Sequence, residues 1–308
     1  MGLLLALSAC AWLTDQQRLI IYRPTTSQAP DLATLPANTK LYFVDRAPPA
    51  APARLALWWL AHPDPAAPTL LYLHGTFRAL PGNQAKIEAL RAAGFSVLAV
   101  DYRGWGQSTS IVPSEDSIQQ DARRAWAELV RREPRPAMRV IYGHSMGSGV
   151  AATLASHLSS PLDYGALILE SAFTSFADIA AEAGFWASLA ARFSPERFAS
   201  IEKIERVNAP VLMLHGVEDR NVPMVLGQRL FAAANPPKQW VQFAGAHHSD
   251  LQSIAPASYQ ATLTSFRQRY LDKCAVTAPV TPAPPQAAAP TQNARRASLA
   301  PGRRARCF

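Results

Sequence analysis

The chain has 308 residues, 49% of them hydrophobic, enough to bury one large α/β core or two small ones, and one is expected. Its net charge of +8 would suit a nucleic-acid partner. However, six of the 30 basic residues (Lys273, Arg295, Arg296, Arg303, Arg304 and Arg306) and none of the 22 acidic ones lie beyond Asp272. Residues 1–272 therefore carry 24 basic against 22 acidic side chains, and such a body lacks the basic patch that nucleic acid requires. The Ala- and Pro-rich stretch 273–308 has no apolar periodicity and reads as a disordered tail. Three cysteines, Cys10, Cys274 and Cys307, show no zinc-binding spacing, so neither metal nor other cofactor is expected.

In chain order, residues 3–10 read Leu-Leu-Leu-Ala-Leu-Ser-Ala-Cys. The Leu-Ser-Ala-Cys box resembles the end of a bacterial lipoprotein signal, which is cut before a cysteine that then carries lipid. On that reading residues 1–10 are a signal remnant, Cys10 anchors the protein to a membrane, and the protein sits in the cell envelope. The run lacks a positive n-region and is shorter than the about 15–30 residues of a secretory signal, which leaves a cytoplasmic chain with a greasy start as the alternative. Residues 3–13 also fall short of the about 20 apolar residues that cross a bilayer.

A lead-in holding Arg18–Pro24 comes next, then two strands at 41–44 and 54–60, joined by a Pro-rich turn as an antiparallel edge. Residues 69–75 form a continuous apolar run of buried-strand type, followed by a helix from about 83 to 93 that Gly94 ends. Strand and helix then alternate. Strands fall at 96–100, 140–142, 166–169, 211–214 and 240–243, with helices near 115–132, after residue 145 and at 255–271. Eight strands so ordered predict a mostly parallel sheet with helices on both faces and a site at the carboxyl ends of the strands. Between about 173 and 207 the alternation breaks, and a helical segment at 179–189 marks a short lid inserted into one domain spanning 11–272.

The most informative run is Met138 to Gly149, where a β-branched stretch enters Gly143-His144-Ser145-Met146-Gly147 and an Ala-rich helical pattern follows. A strand-to-helix turn this tight tolerates no bulk two residues before or after its centre, which Gly143 and Gly147 satisfy. Ser145 is thereby pushed out of the sheet at the N-terminus of the next helix, where free N–H groups and the dipole favour developing negative charge.

These features resemble the α/β-hydrolase superfamily, in particular small-lid serine hydrolases such as protein depalmitoylases and bacterial esterases. The match runs from about Arg18 to Leu271. It is carried by Leu73-His74-Gly75, Asp101 to Ser108, the Ser145 elbow, Leu169 to Ser175, His215 to Asp219 and His248 to Leu251. The resemblance implies an eight-stranded-type sheet with a short helical lid, and a triad in the order Ser145, Asp219, His248. Glu170 is the rival acid and His247 the rival base. Backbone N–H groups of Met146 and Thr76 would hold the oxyanion, with Phe77 as fallback for the second. Asp101 to Ser108 reads as a turn closing the floor of the site. Phe173, Phe185 and Trp186 are expected to line an acyl pocket. The expected activity is hydrolysis of a small-molecule carboxylic ester or thioester through an acyl-enzyme, with an aminopeptidase-like hydrolase or a non-catalytic envelope lipoprotein as alternatives.

Overall fold

The computed structural model describes residues 2–25, 35, 38–45 and 53–272; the tail expected from 273 onwards and the side chain of Cys10 lie outside these. Eight strands form one sheet: β1 (Thr39–Asp45), β2 (Arg54–Leu60), β3 (Thr69–Leu73), β4 (Ser96–Asp101), β5 (Arg139–His144), β6 (Ala166–Glu170), β7 (Val211–Gly216) and β8 (Lys238–Phe243). Their order is β1-β2-β4-β3-β5-β6-β7-β8. β2 pairs antiparallel with both β1 and β4, and every other pairing is parallel. This is the α/β-hydrolase fold expected above. The strand order reverses between β3 and β5, so a crevice opens beyond their carboxyl ends, which is where ligands bind in open α/β sheets.

The helices are α1 (Gly2–Tyr22), α2 (Gln84–Ala92), α3 (Glu115–Arg132), α4 (Met146–Ala155), α5 (Phe176–Glu182), α6 (Phe185–Ala191), α7 (Ile201–Ile204), α8 (Met224–Ala233), α9 (Leu251–Ile254) and α10 (Pro256–Tyr270). The central strands are buried on both faces because alternate side chains enter two separate cores. Leu71, Leu98, Ile141 and Leu167 meet Ile118, Ala122 and Leu129 of α3 and Val150 of α4. Leu70, Val97, Val140 and Ile168 meet Ile87 and Leu90 of α2 and Leu263 and Phe266 of α10. α3 starts where the sequence predicts because Ser114 and Ser117 cap each other's main-chain N–H, and Glu115 and Asp116 complement the helix dipole.

The structure adds one element to those expected and splits another. The lead-in at Arg18–Pro24 is largely helical: α1 runs through Tyr22, and Arg23 leaves it in the left-handed region at φ 45°. The single lid helix expected at 179–189 is two, α5 and α6, separated at Gly184, whose φ of 114° no helix accommodates. The last helix falls where expected: the short α9 precedes it, and α10 begins at Pro256, where a missing N–H costs nothing. Among the described residues no helix is long and apolar enough to cross a membrane.

Candidate active site

Ser145 sits between β5 and α4 with φ 55° and ψ −126°, a backbone conformation that L side chains rarely adopt. The turn is closed by contacts that only glycine allows. A Cβ on Gly143 would lie 2.2 Å from the Gly147 carbonyl oxygen, and one on Gly147 would lie 2.0 Å from that of Leu73. Main-chain bonds fix the corner: Ser145 N–H donates to the Glu170 carbonyl (2.9 Å), and Ser148 N–H donates to that of Ser145 (2.8 Å).

His248 follows β8 and reaches back over this corner. Its Nε2 lies 2.8 Å from Ser145 Oγ, and its Nδ1 lies 2.8 Å from Asp219 Oδ2. A neutral ring that donates Nδ1–H to the carboxylate presents a lone pair on Nε2 to the serine hydroxyl. Asp219 follows β7, and its other oxygen accepts the N–H groups of Asn221 and Val222, both at 2.9 Å. Burial pushes the Asp219 carboxyl up, but the hydrogen bond and charge of His248 together with the Val222 N–H outweigh it and hold it below the usual range. Asp219 is thus a fixed anion whose Oδ2 is bonded to His248 and lies 3.5 Å from Nε2 of the buried His215.

The rival residues are otherwise engaged. Glu170 is fully buried beneath the elbow, paired with the equally inaccessible Lys86 and bonded by the hydroxyls of Tyr142 and Tyr259 (3.1 Å for Tyr259). His247 is more than half exposed and pairs through Nδ1 with Asp250 at 3.1 Å. Asp101 is buried and lines neither of the two cavities that open at Ser145: its carboxylate accepts the Leu80 N–H at 2.9 Å, and it lies 3.5 Å from His74.

A cavity of about 720 Å³ opens at Ser145 and His248. Its walls include Thr76 and Met146, the two expected donors, and the Met146 N–H, at the first turn of α4, has no intrahelical acceptor. Phe173 lines the cavity, with Phe176, Ile179 and Ala180 from α5 and Ala187, Ala190 and Ala191 from α6. Phe185 and Trp186 do not. They lie on the outer face of α6, 72% and 78% exposed and packed edge to face on each other, because α6 turns its alanines inward.

The wall that sequence reading missed is α1. Gln17, Ile20, Ile21 and Arg23 line the cavity, and Gln17 Nε2 donates to the Ala190 carbonyl of α6 (3.3 Å). Arg18 Nε lies 2.7 Å from Glu196, which also accepts from the Tyr22 hydroxyl and the Glu115 N–H. The tyrosine and arginine that make these bonds were visible in the sequence, but their partner is more than 170 residues away. Among the described residues no group of three metal-ligating side chains converges.

Several known proteins are similar to this chain in sequence or fold. The serine aminopeptidase family S33 matches residues 64–202. An uncharacterized protein of Mycobacterium tuberculosis is 34% identical over 250 residues, covering 80% of this chain and 85% of the relative. A lysophosphatidylserine lipase of Danio rerio is 35% identical over 208 residues, 61% of this chain and 53% of the lipase, so the chain spans about half that relative's length. An α/β-hydrolase from Vibrio vulnificus shares the fold with a TM-score of 0.66 at 21% identity, over 82% of this chain and 93% of that one. An esterase of Pyrococcus furiosus does so at 0.60 and 18%, over 75% and 92%. The chain belongs to the α/β-hydrolase superfamily. Within it, the chain is similar to the serine aminopeptidase family and to lysophosphatidylserine lipases, and a specific likeness to depalmitoylases is not shown.

Proposed function

We propose that Ser145, His248 and Asp219 act as a catalytic triad that hydrolyses carboxylic esters or thioesters, with the acyl group held in the large cavity. The observation that carries the reading is the unbroken chain from Asp219 Oδ2 to His248 to Ser145 Oγ, 2.8 Å at each link, at the mouth of an apolar cavity. Ser145 Oγ attacks the acyl carbon while its proton passes to His248 Nε2, and Asp219 stabilises the imidazolium. The oxyanion is held by the N–H groups of Met146 and Thr76. His248 then protonates the departing alcohol or thiol. In the second half, His248 takes a proton from water, whose oxygen displaces Ser145 and releases the acid.

An aminopeptidase would need a free carboxylate to hold the substrate's amino terminus. Glu196 is the one acid among the residues lining the large cavity, and Arg18, Tyr22 and the Glu115 N–H already occupy its oxygens. The ester reading is therefore favoured over the amide one. Labelling by a fluorophosphonate and hydrolysis of a p-nitrophenyl ester, in wild type beside Ser145→Ala, test it. Labelling and turnover confined to the wild type are expected, and undiminished turnover in the variant would overturn the assignment.

A further inference from the structure

A second, smaller cavity of about 130 Å³ shares Ser145, His248, Thr76 and Asn221 with the large one but continues to Arg78, Asn83 and Ser249. The scissile bond would therefore straddle the junction of two unlike spaces. One is apolar and takes a chain. The other has the liquid volume of only about four waters and a wall about half polar, so it suits a compact moiety with polar groups. No acidic side chain lines it.

Arg78 is exposed, and it is its main chain that is held in place there. Asn83 Nδ2 donates to the carbonyls of Arg78 (3.1 Å) and Ala79 (3.0 Å), and Asn83 Oδ1 accepts the hydroxyl of buried Tyr72 (3.0 Å). The methylene stem of Arg78 lies against bare Gly82, where an added Cβ would meet Arg78 Cβ at 3.0 Å. Among the described residues no carboxylate pairs with Arg78. Its neighbour Phe77 carries a second cation, the guanidinium of Arg23, 4.8 Å from the ring centroid. A guanidinium with open donors beside the nucleophile offers a fork that matches the oxygens of a phosphate or carboxylate.

We propose that the small cavity is the leaving-group subsite and that Arg78 selects substrates whose alcohol bears an anionic group. The inference rests on the ester-hydrolase reading above. In it, the negative charge stays on the departing alcohol, and the acyl half is held mainly by apolar contact.

The test compares decanoylglycerol with decanoylglycerol phosphate, both as monomers, in wild type, Arg78→Gln and Arg78→Lys. The quantity read is the ratio of kcat/KM for the phosphate ester to that for the neutral one. The ratio is expected to exceed one in wild type and to fall about tenfold in Arg78→Gln, the lower end of what a hydrogen bond to a charged group contributes. It should fall less in Arg78→Lys, and fall in wild type as salt is raised. A decanoylglycerol carboxylate ester, succinylated in place of the phosphate, distinguishes a general anion site from one fitted to phosphate. A wild-type ratio below one, or a ratio that Arg78→Gln leaves unchanged, would overturn the subsite while leaving the hydrolase reading intact. Failure of fluorophosphonate to label wild type would overturn both.

Discussion

The ring Nε2 of His144 lies 3.0 Å from the main-chain carbonyl oxygen of His248, so the residue before the candidate nucleophile holds the residue that carries the candidate base. To donate this bond His144 needs only one proton. Burial above all, then the charges of Lys86 and His248, hold its ring well below the ordinary 6.5. Above that value the group has no effect on stability. As pH falls through 6.5, the unfolded chain takes up a proton that folded His144 refuses, and stability is lost. His215, lowered chiefly by burial, acts in the same direction. His74, pushed down to about 4 by burial, does too, but Asp101 beside it is pushed up to about 7 and gains stability as pH falls towards 3.8, so that pair offsets. Thermal melts should therefore show Tm falling from pH 6.5 to about 5, and falling less in His144→Gln, which keeps a donor without the titration. Equal slopes in the two proteins would refute this.

The two buried acids should separate cleanly. Asp219→Asn removes the anion that orients His248 and is expected to lower kcat by on the order of 10⁴ with little loss of stability. Glu170→Gln leaves the buried Lys86 without its charged partner and should cost about 3 kcal/mol in urea unfolding. Its folded fraction should keep kcat within about threefold, because Glu170 touches neither His248 nor Ser145 through its carboxylate. The reverse ranking in kcat would reassign the acid.

Ser145 holds a φ of 55° that glycine adopts without strain. Ser145→Gly should be more stable than Ser145→Ala by about 1 kcal/mol, although both abolish turnover. Differential scanning calorimetry on the pair decides it, and equal Tm values would show that the elbow is not strained.

Acyl selectivity should rise with chain length by about 0.8 kcal/mol per CH₂ until the 720 Å³ cavity is filled. Ile179→Trp projects bulk into that space from α5 and should shift the optimum to shorter p-nitrophenyl esters. Phe185→Ala with Trp186→Ala, on the outer face, should leave the profile where it is. A shift in the second variant and not the first would place the acyl chain outside α5 and α6.

The sheet was legible because each central strand is an unbroken apolar run between turn residues, and the elbow because two close backbone approaches admit only glycine. The break at Gly184 was missed, because a lone glycine inside the 179–189 pattern does not by itself end a helix and its positive φ has no sequence signature of its own. Which way an aromatic residue points is another matter. Phe173 follows a buried strand and faces the cavity, whereas Phe185 and Trp186 sit on a short helix whose orientation depends on partners outside it. The role of α1 had no local signal, because its bonds go to Ala190 and Glu196 at the other end of the lid. The Lys86 and Glu170 pair was hidden for the same reason, being 84 residues apart in sequence.

The walls of the large cavity and its reactive edge belong to different structural units. Ser145, Asp219 and His248 hang from β5, β7 and β8 of the sheet, whereas α1 is tied through Gln17 to α6 and through Arg18 to Glu196 in the segment after it, and α1, α5 and α6 contribute no strand. Segments joined this way open at lower free energy than the strands beneath them. On the ester-hydrolase reading, product would leave by a local excursion of this roof, with the reacting groups still held by the sheet.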